Sequence, residues 1–171
     1  MSELLSKVSS YHLFNYLLPG CLFAIIASKF TGHEFIQQNV VLGLFLYYFY
    51  GLVISRIGSL VLEPVLKSLH FLRFAEYGDF VAACKEDPHI AVLSETNNMY
   101  RTLSSLLVVL VLAWASPLVE ARWGWIKPWN LPLSVVFLLV MFLLSYRKQT
   151  DYITKRVNAS TPKRVMANLP R

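Results

Sequence analysis

Charge vanishes from four long stretches of this chain: Val8–Ser28, Phe35–Ser55, Thr102–Val119 and Pro128–Tyr146 contain no Asp, Glu, Lys or Arg. They run 21, 21, 18 and 19 residues, so every charged side chain is packed into the remaining 92 positions. About 20 mainly apolar residues in helical form cross a hydrocarbon core of about 30 Å. The pattern therefore predicts an all-α polytopic membrane protein with four transmembrane helices, at about 11–30, 38–60, 102–119 and 129–147. A helical loop (61–101) and a basic tail (147–171) complete a single membrane domain of 171 residues.

Between the spans, helix punctuation continues the pattern. Val65, Leu66, Leu69 and Leu72 recur at helical spacing after Glu63-Pro64, which predicts an amphipathic helix near Pro64–Phe74. It would lie on the membrane surface or pack on its own bundle. Gly78-Asp79 reads as a break and an N-cap opening a short helix through Lys85. Asp87-Pro88 repeats that grammar, and no breaker follows until Pro117. A continuous helix over Pro88–Val119 would project its first 14 residues about 21 Å beyond the membrane. The fourth helix, free of glycine and proline past Tyr146, is expected to reach about Val157. The two together would form a stalk.

Composition agrees with the pattern, at 56% hydrophobic and only 15% charged. Soluble domains carry about 25% charge, and 14% aromatic residues exclude disorder. Sorting the cations by side predicts the orientation. Lys7, five cations from Arg56 to Arg101, and seven in the tail stand against Lys29, Arg122 and Lys127. The positive-inside rule then places both termini and the middle loop in the cytoplasm of a cell (inner) membrane. Trp123, Trp125 and Trp129 fall in the second external loop as an interfacial belt. Lys7 could open a signal peptide, but no small-x-small site lies between Leu22 and Lys29, so the first span reads as retained. Cys21 and Cys84 fall in different compartments and cannot pair. The Asn158–Ser160 sequon lies on the cytoplasmic side and reads as chance. The formal net charge of +6 resides wholly in the last 25 residues.

Few residues offer chemistry. Gly20, Ala24 and Ser28 on the first span, and Gly51, Ser55 and Ser59 on the second, recur every fourth residue. They suit close helix packing, either within one bundle or between copies. Arg56 is followed by six more uncharged residues. It is either buried in the inner leaflet or snorkels to the headgroups, with Glu63 two turns on as a distant partner. Glu95, Asn97, Asn98 and Arg101 form the densest polar cluster, and with Asn15 and Arg56 they converge at one membrane boundary. They read as a polar network, a partner-binding surface or a solvated face. His12, His33, His70 and His89 are scattered, no catalytic or metal motif occurs, and no acid sits within a span. The expectation is a non-enzyme with no cofactor and no metal.

The tail pairs Arg147-Lys148, Lys155-Arg156 and Lys163-Arg164 suit anionic lipid headgroups, at about 1 kcal/mol per charge near the surface. Nucleic acid is a poor fit, because Tyr152 is the one stacking residue there. The outline resembles small polytopic subunits that bacteria encode beside a soluble partner, including membrane components of phage-defence systems. That resemblance is one of architecture, without a motif. The expected role is a homo-oligomeric membrane component that docks a soluble cytoplasmic partner or senses a cytoplasmic cue. The alternative is a small oligomeric channel or membrane-permeabilising effector.

Overall fold

Proline placement decides how the first two spans are built. In the computed structural model, which describes residues 11–31, 33–122 and 130–160, helix α1 (Leu18–Phe30) is preceded by a π-helical turn, Leu13–Leu17. Helix α2 (Val40–Ile57) is followed by a second π-helical turn, Gly58–Leu62, and then by α3 (Glu63–Ser68). Each π turn ends two residues before a proline, Pro19 or Pro64. Proline has no N–H for the carbonyl four residues back, and its ring crowds that carbonyl. The preceding turn widens instead, with Leu18 N–H donating to Leu13 O and Glu63 N–H donating to Gly58 O.

This corrects one expectation. Pro64 does not open a separate surface helix, because the second span runs on continuously through the π turn to Ser68. Nor does the helix reach Phe74. It stops at Leu69, and His70 takes the left-handed conformation (φ 58°) that closes many helices.

Helix α4 (Tyr77–Glu86) forms near the expected place. Its N-cap is Glu76, with Asp79 in the first turn in place of the cap. The Asp87 signal is used as written: its Oδ1 accepts from His89 N–H at 2.9 Å and opens α5 (His89–Arg122). At 34 residues α5 is about 51 Å long, well beyond a hydrocarbon core, and it carries Pro117 inside. Helix α6 (Asn130–Ser160) is almost as long. Four helical stretches are thus long and apolar enough to cross a membrane: Leu13–Phe30, Val40–Ser68, His89–Val119 and Asn130–Ala159. Among the described residues no strand occurs. Trp123, Trp125, Trp129, Lys163 and Arg164 lie outside the described residues.

Helices α1, α2 and α5 form the packed body, with a core of Ala27, Ile54, Leu106 and Leu110. The α1–α2 contact is backbone against backbone. A Cβ on Gly20 would stand 1.7 Å from the Tyr47 carbonyl oxygen, and one on Gly51 would stand 1.7 Å from that of Tyr16. The two glycines are reciprocal across an antiparallel pair, and Ala24 is fully buried beside them. Ser28 Oγ accepts from Phe35 N–H at 3.0 Å, tying the loop back to the helix. These small residues serve close packing within one chain.

Helix α6 is attached differently. Only 6% of its apolar window is buried, against 33% for the first span. It rests on α4, where the Tyr77 and Tyr152 rings lie 5.8 Å apart, and more thinly on α2, where Phe49 meets Phe142 at 6.3 Å. The end of the bundle where α3, α4 and the projecting parts of α5 and α6 gather is called the stalk end below.

Candidate functional site

At the stalk end one carboxylate holds three helical segments. Glu63, the first residue of α3, is buried, with 8% of its side chain exposed. Its Oε2 accepts from Arg101 Nη1 at 2.8 Å, and its Oε1 accepts from Lys67 Nζ at 3.1 Å. Lys148 Nζ stands 3.6 Å from Oε1 and donates to the Ser59 carbonyl at 2.6 Å and to Ser59 Oγ at 2.8 Å. Lys67 comes from the same helix four residues on, whereas Arg101 belongs to α5 and Lys148 to α6. Three cations around one anion compensate its burial and leave a local positive surplus.

One turn further into the bundle lies a neutral network. Thr102 Oγ1 is 2.9 Å from Asn15 Oδ1, 2.9 Å from the Asn98 carbonyl of its own helix and 3.2 Å from Ser55 Oγ. A hydroxyl has one proton, so Thr102 donates to one of these three oxygens at a time. Asn15 Nδ2 donates to Tyr11 Oη at 3.3 Å, and Ser105 Oγ donates to the Ile54 carbonyl at 2.8 Å. Asn15, Thr102 and Ser105 are essentially inaccessible. Polar groups placed in an apolar body need such partners, and here they lock α1, α2 and α5 in register. The π turn Leu13–Leu17 carries Asn15 into this network.

The residues expected to converge take up different positions at this end of the bundle. Glu95 and Asn97 are exposed, Asn98 is half-buried and contributes its carbonyl, and Arg101 is anchored on Glu63. Glu95 lines a small cleft of about 160 Å³ with Tyr11, Phe14, Asn15, Thr96 and Met99. Arg56 is half-buried and makes no hydrogen bond or ion pair among the described residues. Its anticipated partner, Glu63, is taken by Arg101, Lys67 and Lys148. The reason is the intervening π turn: π residues rotate less per step than α residues, so the two-turn alignment of Arg56 with Glu63 is lost. Lys148 also departs from the tail reading, since it points inward to Ser59, while Arg147 and Lys155 are exposed. Arg156 is exposed as well.

Sequence reasoning missed Glu63 as the hub and Ser105 as a packing donor. The available signal for Glu63 was an acidic residue just inside the end of an apolar run and four residues before Lys67. Among the described residues no group of three or more His, Cys, Asp or Glu could hold a metal ion. The fold and this site define an all-α polytopic membrane protein with four candidate membrane-spanning helices. No family model, curated protein or solved structure matches the chain.

Proposed function

We propose that this protein is a non-enzymatic membrane component of the cell (inner) membrane, with its stalk end in the cytoplasm, that docks a soluble cytoplasmic partner. The observation that carries the reading is the stalk. Helices α5 and α6 extend past any hydrocarbon core, α4 braces them, and they present large apolar side chains beside exposed polar ones. Val92 and Leu93 on α5 are 50% and 67% exposed, next to Glu95 and Asn97. Ile153 and Val157 on α6 are 57% and 55% exposed among Asp151, Lys155 and Arg156. Apolar residues set in a polar rim outside the membrane are the composition of a protein-binding surface. The Glu63 cluster fixes the base of that stalk to the membrane body, so occupancy at the stalk would be felt by the spans.

Docking is favoured over a pore because Asn15, Ser55, Ser59 and Ser105 are engaged in hydrogen bonds inside one chain. Homo-oligomerisation belongs to the same proposal, supported by the large lateral apolar surface of α6. The test is affinity purification of the full chain from its native host at native level in mild detergent, with mass spectrometry. One soluble protein should co-purify in stoichiometric amount and be lost in Leu93→Asp/Glu95→Ala with membrane insertion intact. Recovery of the same protein by that variant would refute the reading. So would depolarisation of cells on expression of the unaltered chain.

A further inference from the structure

We infer that the groove between α2 and α6 binds one anionic phospholipid of the leaflet that meets the stalk end, by a site separate from the basic tail. Helix α6 stands off the body along its apolar length and leaves a cleft of about 290 Å³. Phe49, Val53 and Ile57 of α2, Val109 of α5, and Phe137 and Leu138 of α6 line it. The cleft lies within the apolar windows of the spans, where an acyl chain is the surrounding solvent.

The chemistry at its stalk end selects the headgroup. Helices α2 and α6 run in the same direction, with Phe49 level with Phe142 and Ser59 near Lys148. Arg56 lies seven residues past Phe49, two turns on along the same face. It sits next in the chain to Ile57, which lines the groove, as a half-buried cation with no partner among the described residues. Ser145, one turn before Lys148 and two turns past Leu138 on α6, is 9% exposed, and its hydroxyl has no hydrogen-bond partner among the described residues. Arg101 Nε is likewise buried and unpaired. Lys67, Arg101 and Lys148 face one carboxylate, Glu63, so the end of the groove carries a positive surplus before Arg56 is counted. Among the described residues, no other acid forms an ion pair with these cations.

A phosphodiester with an uncharged headgroup carries one net negative charge and free acceptor oxygens. It matches the unpaired Arg56 guanidinium and the Ser145 hydroxyl, while its acyl chain fills the groove. Phosphatidylcholine has the same tails but adds a trimethylammonium that meets the surplus of positive charge. Recognition of the anion is therefore electrostatic, and the tails set the location.

Native mass spectrometry of the delipidated full chain, titrated with phosphatidylglycerol or phosphatidylcholine, tests this. Phosphatidylglycerol should give a single adduct at a concentration at least about fivefold lower than phosphatidylcholine. Arg56→Gln should remove that preference while leaving the phosphatidylcholine adduct unchanged, and Leu138→Trp should weaken both. Deleting residues 161–171 should leave the preference intact. Equal binding of the two lipids, an unchanged preference in Arg56→Gln, or its loss on tail deletion would each overturn the proposal. A Leu138→Cys variant that oxidises quantitatively to a dimer in bilayers would also overturn it, because a second copy would then fill the groove.

Discussion

Replacing Glu63 by Gln removes one charge and almost no volume, and its cost can be worked from the geometry. The Lys67 pair is 44% exposed at the cation and sits at i, i+4, so it contributes only about 0.3–0.5 kcal/mol. The Arg101 contact is different, at 2.8 Å with side-chain exposures of 22% and 8%. Removing one partner of a buried pair costs about 3–5 kcal/mol, because the other charge stays desolvated. Partial exposure of Arg101 and Lys148 (27%) lowers that figure, giving about 2–3 kcal/mol for Glu63→Gln. At roughly 2–4 °C per kcal/mol for a chain of this size, the melting temperature should fall by about 4–12 °C. Thermal unfolding in detergent, followed by tryptophan fluorescence, measures it. A cycle with Arg101→Met should give a coupling above about 1 kcal/mol, since the Arg101 charge no longer needs compensation once it is gone. Additive single effects, or a loss below about 0.5 kcal/mol for Glu63→Gln, would refute the account of this cluster.

Four further outcomes follow from other parts of the molecule. Gly51→Ala and Gly20→Ala place a Cβ 1.7 Å from a facing carbonyl oxygen, so each should force α1 and α2 apart and cost about 3 kcal/mol or more in the same unfolding assay. Gly78→Ala meets nothing within 4 Å inside a helix and should instead stabilise by about 0.5–1 kcal/mol. Thr102→Val keeps the shape but removes the hydroxyl shared by Asn15 and Ser55. It should cost about 1–3 kcal/mol and raise amide exchange in the turn Leu13–Leu17. The proposed orientation, stalk end in the cytoplasm, is tested with a membrane-impermeant maleimide: it should label Cys84 only after cells are opened, and labelling in intact cells would reverse the orientation.

Much of this architecture is a property of single segments. Exclusion of charge from hydrocarbon acts on each residue separately, so four uncharged runs locate four spans without knowledge of their neighbours. Helix starts and continuations are similarly local: Asp87 caps α5, and the stretch beyond Tyr146 stays helical because nothing in it breaks a helix. Pro64 shows the limit of that reasoning. As a local signal it reads equally as a helix start or as a proline within a helix, and a widened π turn carries the backbone through it.

What the chain alone determined is which segments are helical and which of them lipid can surround. The tertiary structure decided which polar groups meet. Glu63 and Arg56 lie seven residues apart and look like partners on an ideal helix. The π turn rotates Glu63 away to Arg101 and Lys148, residues 38 and 85 positions distant. Gly20 and Gly51 show small size in the sequence, but their reciprocal fit against Tyr47 and Tyr16 depends on the relative height of two helices. Burial in an apolar phase is a one-body preference that composition reports directly. Pairing between helices depends on rotation and axial register, and these are set only when all the segments pack together.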